Sequence, residues 1–567
     1  MISWRCLVVT EEAYNLNSPI LVIPLYSMLV LFVSLLMTVF ETEWSVPSVL
    51  IEWNPSPTLG FMPLVVLIDK LSLSMLLTVS VVTTSVVRYG RVYMAGHINV
   101  LSFQLIMFLF VSFMCILCVS ANLFTVMLGW DGLGLTSFCL IIYFTSWKSF
   151  YSGMVTLMCN RLGDIFLLTS IVVLASNSLN SWSNPTTSSM IVSVCVCIGA
   201  VSKSAMFPFS IWLPLAMAAP TPVSSLVHSS TLVTAGAYLL IRFKFLLSCS
   251  MVYLTYLSIL TALVSGTLAL VSFDVKKVIA YSTLSHLSLM LMFLSLNCPS
   301  SALFHLVTHA MFKSHLFMIY GTIIWTQSDV QDLRHVWTDP TIQPLVWVML
   351  MVSTMSMIGT PFLCGYYSKE LMCMMSLSHS SNLLTTFPFL LLITLTSAYS
   401  TRLLSIVVQM PVNPMRYSVC CSEHQMLGVT VTNYVFVLIV GAVLWMPITA
   451  FNEEPTSLSL LGKIYAIVAI LTGIGLGSTN SIPNTLLHPM VQLSHLVGLI
   501  SIDLLSWLSK ISLEMMHSQM GIQFDTFLVK TIGWVSLNRT TFDSVLNSSS
   551  MLSLKVTVAC FGLMLLL

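Results

Sequence analysis

Fifteen long apolar runs, joined by short polar connections, leave this chain few ways to fold. They cover roughly residues 19–40, 63–89, 98–118, 120–144, 152–175, 187–208, 222–245, 250–273, 278–296, 301–325, 341–367, 382–409, 429–451, 462–478 and 551–567. A helix needs about 20 apolar residues to span a bilayer, and most of these runs reach that length. Only 7% of the 567 residues are charged, against about 25% in a soluble domain. That is too few to cover a water-facing surface of this size, but it suits a lipid-facing one. A membrane barrel would show short alternating segments, whereas these runs are continuous. The expected fold class is an all-α polytopic membrane protein with about fifteen transmembrane helices, its outer surface in contact with membrane lipids.

A net charge of +1 gives no footing for nucleic acid. The N-terminus, MISWRCLVVTEEAYN, has a single arginine and then two glutamates. It makes a poor signal or transit peptide, so insertion without a cleaved address is expected. Cys115 and Cys118 form a CxxC without a second pair at metal-site spacing, so the cysteines read as small buried side chains.

Ionisable residues inside spans are costly and call for a partner or a role. Asp131 lies midway along one run, in GWDGLGLTSF. Arg161 and Asp164, three apart, can pair on one helix face; a local ion pair and a place beside a proton path both remain open. Lys203 sits five residues before Pro208, the first of four prolines (Pro208, Pro214, Pro220, Pro222), and His228 follows them. A proline break at membrane depth frees backbone carbonyls, which is tolerated only inside protein or beside a wet cavity. His305, His309 and Lys313 recur every four residues. They form one stripe that drifts about 40° per step and covers about 12 Å of depth, as a hydrated proton relay requires. His315 is off that stripe. His286 stands in the preceding span and is able to face it. Lys369, followed by Glu370, comes after a second break, GTPFLCGYY, containing Gly359, Pro361 and Gly365. Two such broken segments point to an inverted-repeat transporter. Asp274, Lys276 and Lys277 read as a loop between spans.

Residues 482–535 differ from the rest. Asp503, Lys510, Glu514 and His517 make a polar stripe opposite Leu504, Leu505, Leu508 and Ile511, which suits an amphipathic helix along a membrane surface. No P-loop, dinucleotide fingerprint or cofactor-ligand set stands out, so the chain is expected to move something without a redox centre of its own.

The motifs GWDGLGLTSF, NRLGD, SKSAMFPFSIWLPLAMAAPTPVSSLVHSSTLVTAGAYLL, FDVKKVIAYSTLSH, HLVTHAMFKSHLF and PFLCGYYSKE occur in this order. Together they closely resemble the antiporter-like chain 5 family of NADH–ubiquinone oxidoreductase, respiratory complex I. The resemblance implies two inverted five-helix repeats, here 98–245 and 246–409. They would be preceded by N-terminal helices in 1–97 and followed by further helices in 410–481, then by a lateral helix and anchor in 482–567. It implies a proton relay through Asp131, Asp164, Lys203, His228, His305, His309, Lys313 and Lys369, with Asp131 paired to Lys203. It also implies a mitochondrial inner-membrane location and, as partners, the other membrane-arm subunits, contacted partly by the lateral helix. FMN, iron–sulfur clusters and ubiquinone would be bound by those other subunits, with no cofactor in this chain. The family usually has sixteen spans, so the first is expected to be lost or reduced to the residues before Thr10. Asp131 stands where glutamate is common, Leu215 where small or acidic residues are common, and His286 where glutamine is common. A cation/proton antiporter shares the repeats and lysines; the long segment after 482 favours a subunit with neighbours to lie on.

Overall fold

The computed structural model describes residues 49–53, 64–97, 99–176, 190–247, 250–327, 329–336, 343–378, 383–409, 422–451 and 460–478. The expected spans at 19–40 and 551–567 and the lateral helix at 482–535 lie outside the described residues.

The described chain is helical apart from one hairpin, β1 (Val49–Trp53) with β2 (Leu64–Ile68), antiparallel from Val49 opposite Ile68 to Trp53 opposite Leu64. The helices follow in order: α1 (Lys70–Tyr93), α2 (Val100–Val119), α3 (Leu123–Ile141), α4 (Trp147–Ser176), α5 (Met190–Lys203), the short α6 (Trp212–Ala216), α7 (Thr221–Leu226) and α8 (Leu232–Arg242). After these come α9 (Met251–Val271), α10 (Val275–Ser295), α11 (Pro299–Thr326), α12 (Pro344–Ile358), α13 (Cys364–Ser378), α14 (Leu383–Gln409), α15 (Ser422–Phe451) and α16 (Leu460–Ser478). Among the described residues eight helices are long and apolar enough to cross a membrane, with α7 and α8 taken as one.

The hairpin corrects the expectation of an unbroken span over 63–89. Leu64–Ile68, rich in β-branched residues, pairs as a strand, and Asp69 then starts a helix. Its carboxylate accepts from the Ser72 amide at 2.9 Å, while Ser72 Oγ accepts from the Asp69 amide at 2.8 Å. This capping box satisfies two amides that a helix start otherwise leaves open. Asp69 also takes two hydrogen bonds from Arg242 at 2.8 and 2.9 Å, fastening α8 to the start of α1.

Burial sorts the helices by layer. Along their most apolar 18 residues, α7–α8 and α10 are 100% and 94% buried, and α2, α9 and α4 39%, 39% and 33%. The outer helices show apolar side chains at helical spacing, such as Leu105, Phe108 and Leu109 on α2 and Ile165, Leu168 and Val172 on α4, the pattern of a lipid-facing stripe. α11, 28 residues long, is buried along nearly its whole length and packs against α10, α13, α15 and α7. It is the central column, and it carries the His305–His309–Lys313 row.

Two helices are broken, as the sequence led us to expect. α5 stops at Lys203, and Ala205 just beyond adopts φ +55°. α12 stops at Ile358. Gly359 (φ +89°) and Phe362 (φ +69°) then turn the chain before α13. Left-handed backbone is unstrained for glycine but not for alanine, and at fully buried Ala205 the surrounding packing enforces it. A third irregularity was not foreseen. Residues Val227–Thr231, including His228, form a π-turn inside the α7–α8 rod. Thr231 Oγ1 donates to the Leu226 carbonyl at 2.9 Å and steadies the widened turn.

Arg242 is nine-tenths buried, so its carboxylate partner is not dispensable. Asp69→Ala strands that charge and is expected to cost about 3 kcal/mol, read as a lower thermal-unfolding midpoint. Asp69→Asn, which keeps an acceptor, should lose less; equal midpoints for Asp69→Ala and the unaltered chain would contradict the role given to this pair.

Candidate functional site

Most of the candidate relay residues gather in two clusters, with buried Arg242 and Lys276 outside both. In the first, Lys203 extends from the broken end of α5 to α3. Its ammonium donates to the Trp130 carbonyl at 2.5 Å and lies 3.9 Å from the centroid of the Trp130 ring. A mid-helix carbonyl can accept this second bond because it has two lone pairs, and the indole face attracts a cation. The Trp130 Nε1–H donates to Asp164 at 2.8 Å. Arg161 bridges the two carboxylates, 3.2 Å from Asp164 and 3.6 Å from Asp131. The Arg161–Asp164 pair that three-residue spacing allowed is therefore formed.

Asp131 and Lys203 form no direct ion pair. Among the described residues the ion-pair partner of Asp131 is Arg161. Consecutive helix residues point about 100° apart. With Trp130 turned to Lys203, Asp131 turns to α4, where its side chain stays 37% exposed. Asp164, at 9%, is the buried carboxylate of the cluster and reaches Lys203 through the indole.

The second cluster surrounds α11. His305 Nδ1 and Ser368 Oγ are 2.9 Å apart, and Thr308 Oγ1 donates to the same hydroxyl at 3.2 Å. His305 Nε2 lies 3.1 Å from His286 Nδ1 on α10. The His286 ring is 5.3 Å from that of His305 and 5.5 Å from that of His309. One turn further, Lys313 donates to Ser282 Oγ and, at 2.9 Å, to the Met357 sulfur. Lys369 reaches back from α13 to the open end of α12. It donates to the carbonyls of Met357 (2.5 Å) and Ile358 (3.2 Å) and to Thr396 Oγ1 (3.1 Å). All three ammonium hydrogens thus have acceptors, two of them orphan carbonyls at a helix C-terminus, which favours a cation.

His228 belongs to neither cluster by a direct bond. Neither of its ring nitrogens has a hydrogen-bond partner among the described residues, and its ring lies 6.3 Å from that of Trp212. The α8 part of the rod packs on α5, and the π-turn that holds His228 packs on α11. Trp212, whose ring faces His228, donates its Nε1–H to the Ser202 carbonyl at 3.0 Å, next to Lys203. His315 is buried beside Tyr434 and is not part of the row.

Lys276, read as a loop residue, is in the first turn of α10 and buried; it donates to the Ala219 carbonyl at 3.1 Å, within the proline stretch. Asp274 and Lys277 pair at 2.5 Å on the exposed side of that turn. Outside the spans, Arg334 binds Asp332 through its side chain and holds that carboxyl below its usual range. Sequence reasoning passed over Trp130, Ser368 and Met357. The first two each adjoin a residue it selected, Asp131 and Lys369, and that adjacency was the available signal. Met357 had none.

The fold is that of antiporter-like membrane subunits. Over 82% of this chain and 94% of its own, the match to a chain of the membrane-bound sulfane sulfur reductase (MBS), an archaeal respiratory membrane complex, has a TM-score of 0.65 at 18% identity. A chain of the Mrp complex from Dietzia sp. DQ12-45-1b matches 95% of this chain and 60% of its own, with a TM-score of 0.64 at 22% identity. Residues 120–396 match the family described as NADH:quinone oxidoreductase/Mrp antiporter, TM. Among curated relatives, NADH-ubiquinone oxidoreductase chain 5 of Aedes aegypti is 38% identical over 72% of both chains. That of Mytilus edulis is 39% identical over 72% of this chain and 74% of its own. The Anopheles quadrimaculatus chain is 44% identical, and the match spans 59% of this chain and 60% of that one. The chain belongs to the NADH–ubiquinone oxidoreductase chain 5 family and is a multi-pass membrane protein.

The geometry ranks the two carboxylates. Asp164→Asn weakens bonds to both Trp130 and Arg161. Hydrogen bonds to charged groups contribute about 1.5–3 kcal/mol, so a loss of stability of about that size is expected, read as a lower thermal-unfolding midpoint. Asp131→Asn leaves Arg161 on Asp164 and should cost less. A larger fall in the unfolding midpoint for Asp131→Asn than for Asp164→Asn would contradict this order.

Proposed function

We propose that this chain is a proton-translocating subunit of the membrane arm of NADH–ubiquinone oxidoreductase in the mitochondrial inner membrane. Protons pass along Asp131, Asp164, Lys203, His228, His305, His309, Lys313 and Lys369, driven by quinone reduction elsewhere in the complex. The observation that carries this reading is the set of buried amines and imidazoles aligned beside two helix breaks. In it Lys203 and Lys369 rest on neutral carbonyls. An ammonium fixed by a carboxylate is held in its charged form. One resting on dipoles can exchange its proton as neighbouring charge changes.

The residues divide the work. Lys203 takes up and releases a proton under the influence of Asp164 and Arg161, transmitted through Trp130. His228 hands on across the π-turn to the α11 row. Lys369 releases at the open end of α12. Unpartnered ring nitrogens of buried His228 and His309 call for ordered water, since buried polar groups are nearly always hydrogen-bonded; water joins the steps that direct bonds do not.

The order of elements supports two repeats, 98–245 and 246–409. α2, α3, α4, the broken α5–α6 and the α7–α8 rod are followed by α9, α10, α11, the broken α12–α13 and α14. The fourth helix is the interrupted one in each series. Each broken helix carries one buried lysine beside its break, Lys203 before the first and Lys369 after the second. To this reading belong the divisions 1–97, 410–481 and 482–567, the last, with its amphipathic sequence over 482–535, supplying contact with neighbouring membrane-arm subunits. FMN, iron–sulfur clusters and ubiquinone belong to other subunits; this chain holds no redox centre.

Lys203→Ala and His309→Ala should each lower the number of protons pumped per NADH by the complex reconstituted in vesicles. Unchanged pumping in both would refute the relay.

A further inference from the structure

The row His305–His309–Lys313 is a path along one helix only on paper. The rings of His305 and His309 are 6.4 Å apart, centroid to centroid, and both nitrogens of His309 lack a partner among the described residues. The nitrogen that meets His305 comes from α10: His286 Nδ1, at 3.1 Å from His305 Nε2. The His286 ring is also 5.5 Å from His309 and 5.5 Å from Phe312. Phe312 in turn sits edge-on to His309 at 5.5 Å, so one phenyl ring walls both imidazoles. His286 is fully buried, and its Nε2 has no partner among the described residues.

We propose that His286 is a proton-carrying residue, the point at which the path leaves α11, crosses to α10 and returns. The proposal rests on the relay reading above. His305 orients the exchange, because Nδ1–H on His305 can donate to Ser368 Oγ at 2.9 Å and so leaves the Nε2 lone pair facing His286. With His286 protonated on both nitrogens, its Nδ1–H bond breaks as an Nε2–H bond forms on His305. One positive charge moves from α10 to α11, and His286 is left neutral with its proton on Nε2. No co-reactant is needed. Recharging comes from the His309 side, directly or through one water between unpartnered nitrogens.

The ionisable groups around His286 are His305, His309 and Lys313 on α11 and Lys369 on α13; Lys313 and Lys369 meet at the same residue, on the sulfur and the carbonyl of Met357. None is a carboxylate. A proton arriving on any one of them raises the cost of holding a second nearby, so charge in this cluster is passed on rather than stored. His286 gives that charge a step between the two turns of α11.

The test compares His286→Gln with His305→Gln in the assembled complex, reconstituted in vesicles, by protons pumped per NADH oxidised. Glutamine retains hydrogen bonding but carries no exchangeable ring proton. His286→Gln is expected to lower the proton yield to the value of His305→Gln. A normal yield for His286→Gln with a lowered yield for His305→Gln overturns this proposal and spares the relay; normal yields in both overturn the relay and the proposal with it. His286→Ala separates proton transfer from packing. Added imidazole should restore its proton yield in a dose-dependent way, and a yield that stays low at saturating imidazole counts against a proton-carrying role.

Discussion

Three buried lysines in this protein rest on backbone carbonyls rather than on carboxylates. Lys203 is held by Trp130, Lys276 by Ala219, and Lys369 by Met357 and Ile358. Lys313 has a hydroxyl and a thioether. Placing an ammonium in a low-dielectric interior is costly, and a neutral dipole returns only part of that cost. The arrangement gives up stability that four tight ion pairs could supply. It leaves the amines able to change charge, the property that the proposed relay uses. Where the fold does need a fixed tie it uses one, as between Arg242 and Asp69.

The helix breaks follow from the same constraint. A carbonyl inside an unbroken helix offers a buried cation only its second lone pair, as Trp130 does for Lys203, whereas a helix end offers carbonyls with no bond yet made. Ending α12 at Ile358 exposes carbonyls at a negative helix end, and Lys369 returns from α13 to meet them. Ending α5 at Lys203 frees the lysine to cross to α3, while Trp212 takes the Ser202 carbonyl. Such irregular backbone is stable only inside protein, and the breaks are packed among the most buried helices, α7–α8, α10 and α11. The outer helices, α2, α4 and α9, shield this interior with apolar faces.

Much of this was legible in the sequence because hydrophobic length and proline are local signals. The runs marked the helices, Pro208 and Gly359 marked the breaks, and spacing by four marked the α11 stripe. What was illegible depended on partners distant in the chain. Leu64–Ile68 looks like the start of a span until β1 pairs with it. The identity of the carboxylate facing Lys203 turns on the rotation of α3, which sets Trp130, not Asp131, toward α5. His286 is one histidine in a long apolar run, and only the packing of α10 on α11 brings it to His305. Met357 carries no chemical flag at all, yet its sulfur and carbonyl meet Lys313 and Lys369.

The central claim is that Lys203 and Lys369 change charge during turnover. Infrared difference spectroscopy of the assembled complex, with lysine carrying a nitrogen isotope label and NADH added to start turnover, reads that charge directly. The account predicts label-sensitive ammonium bands that vanish and return with turnover, with reduced amplitude in Lys203→Met and again in Lys369→Met. Lysine bands unchanged between the resting and working complex would contradict it.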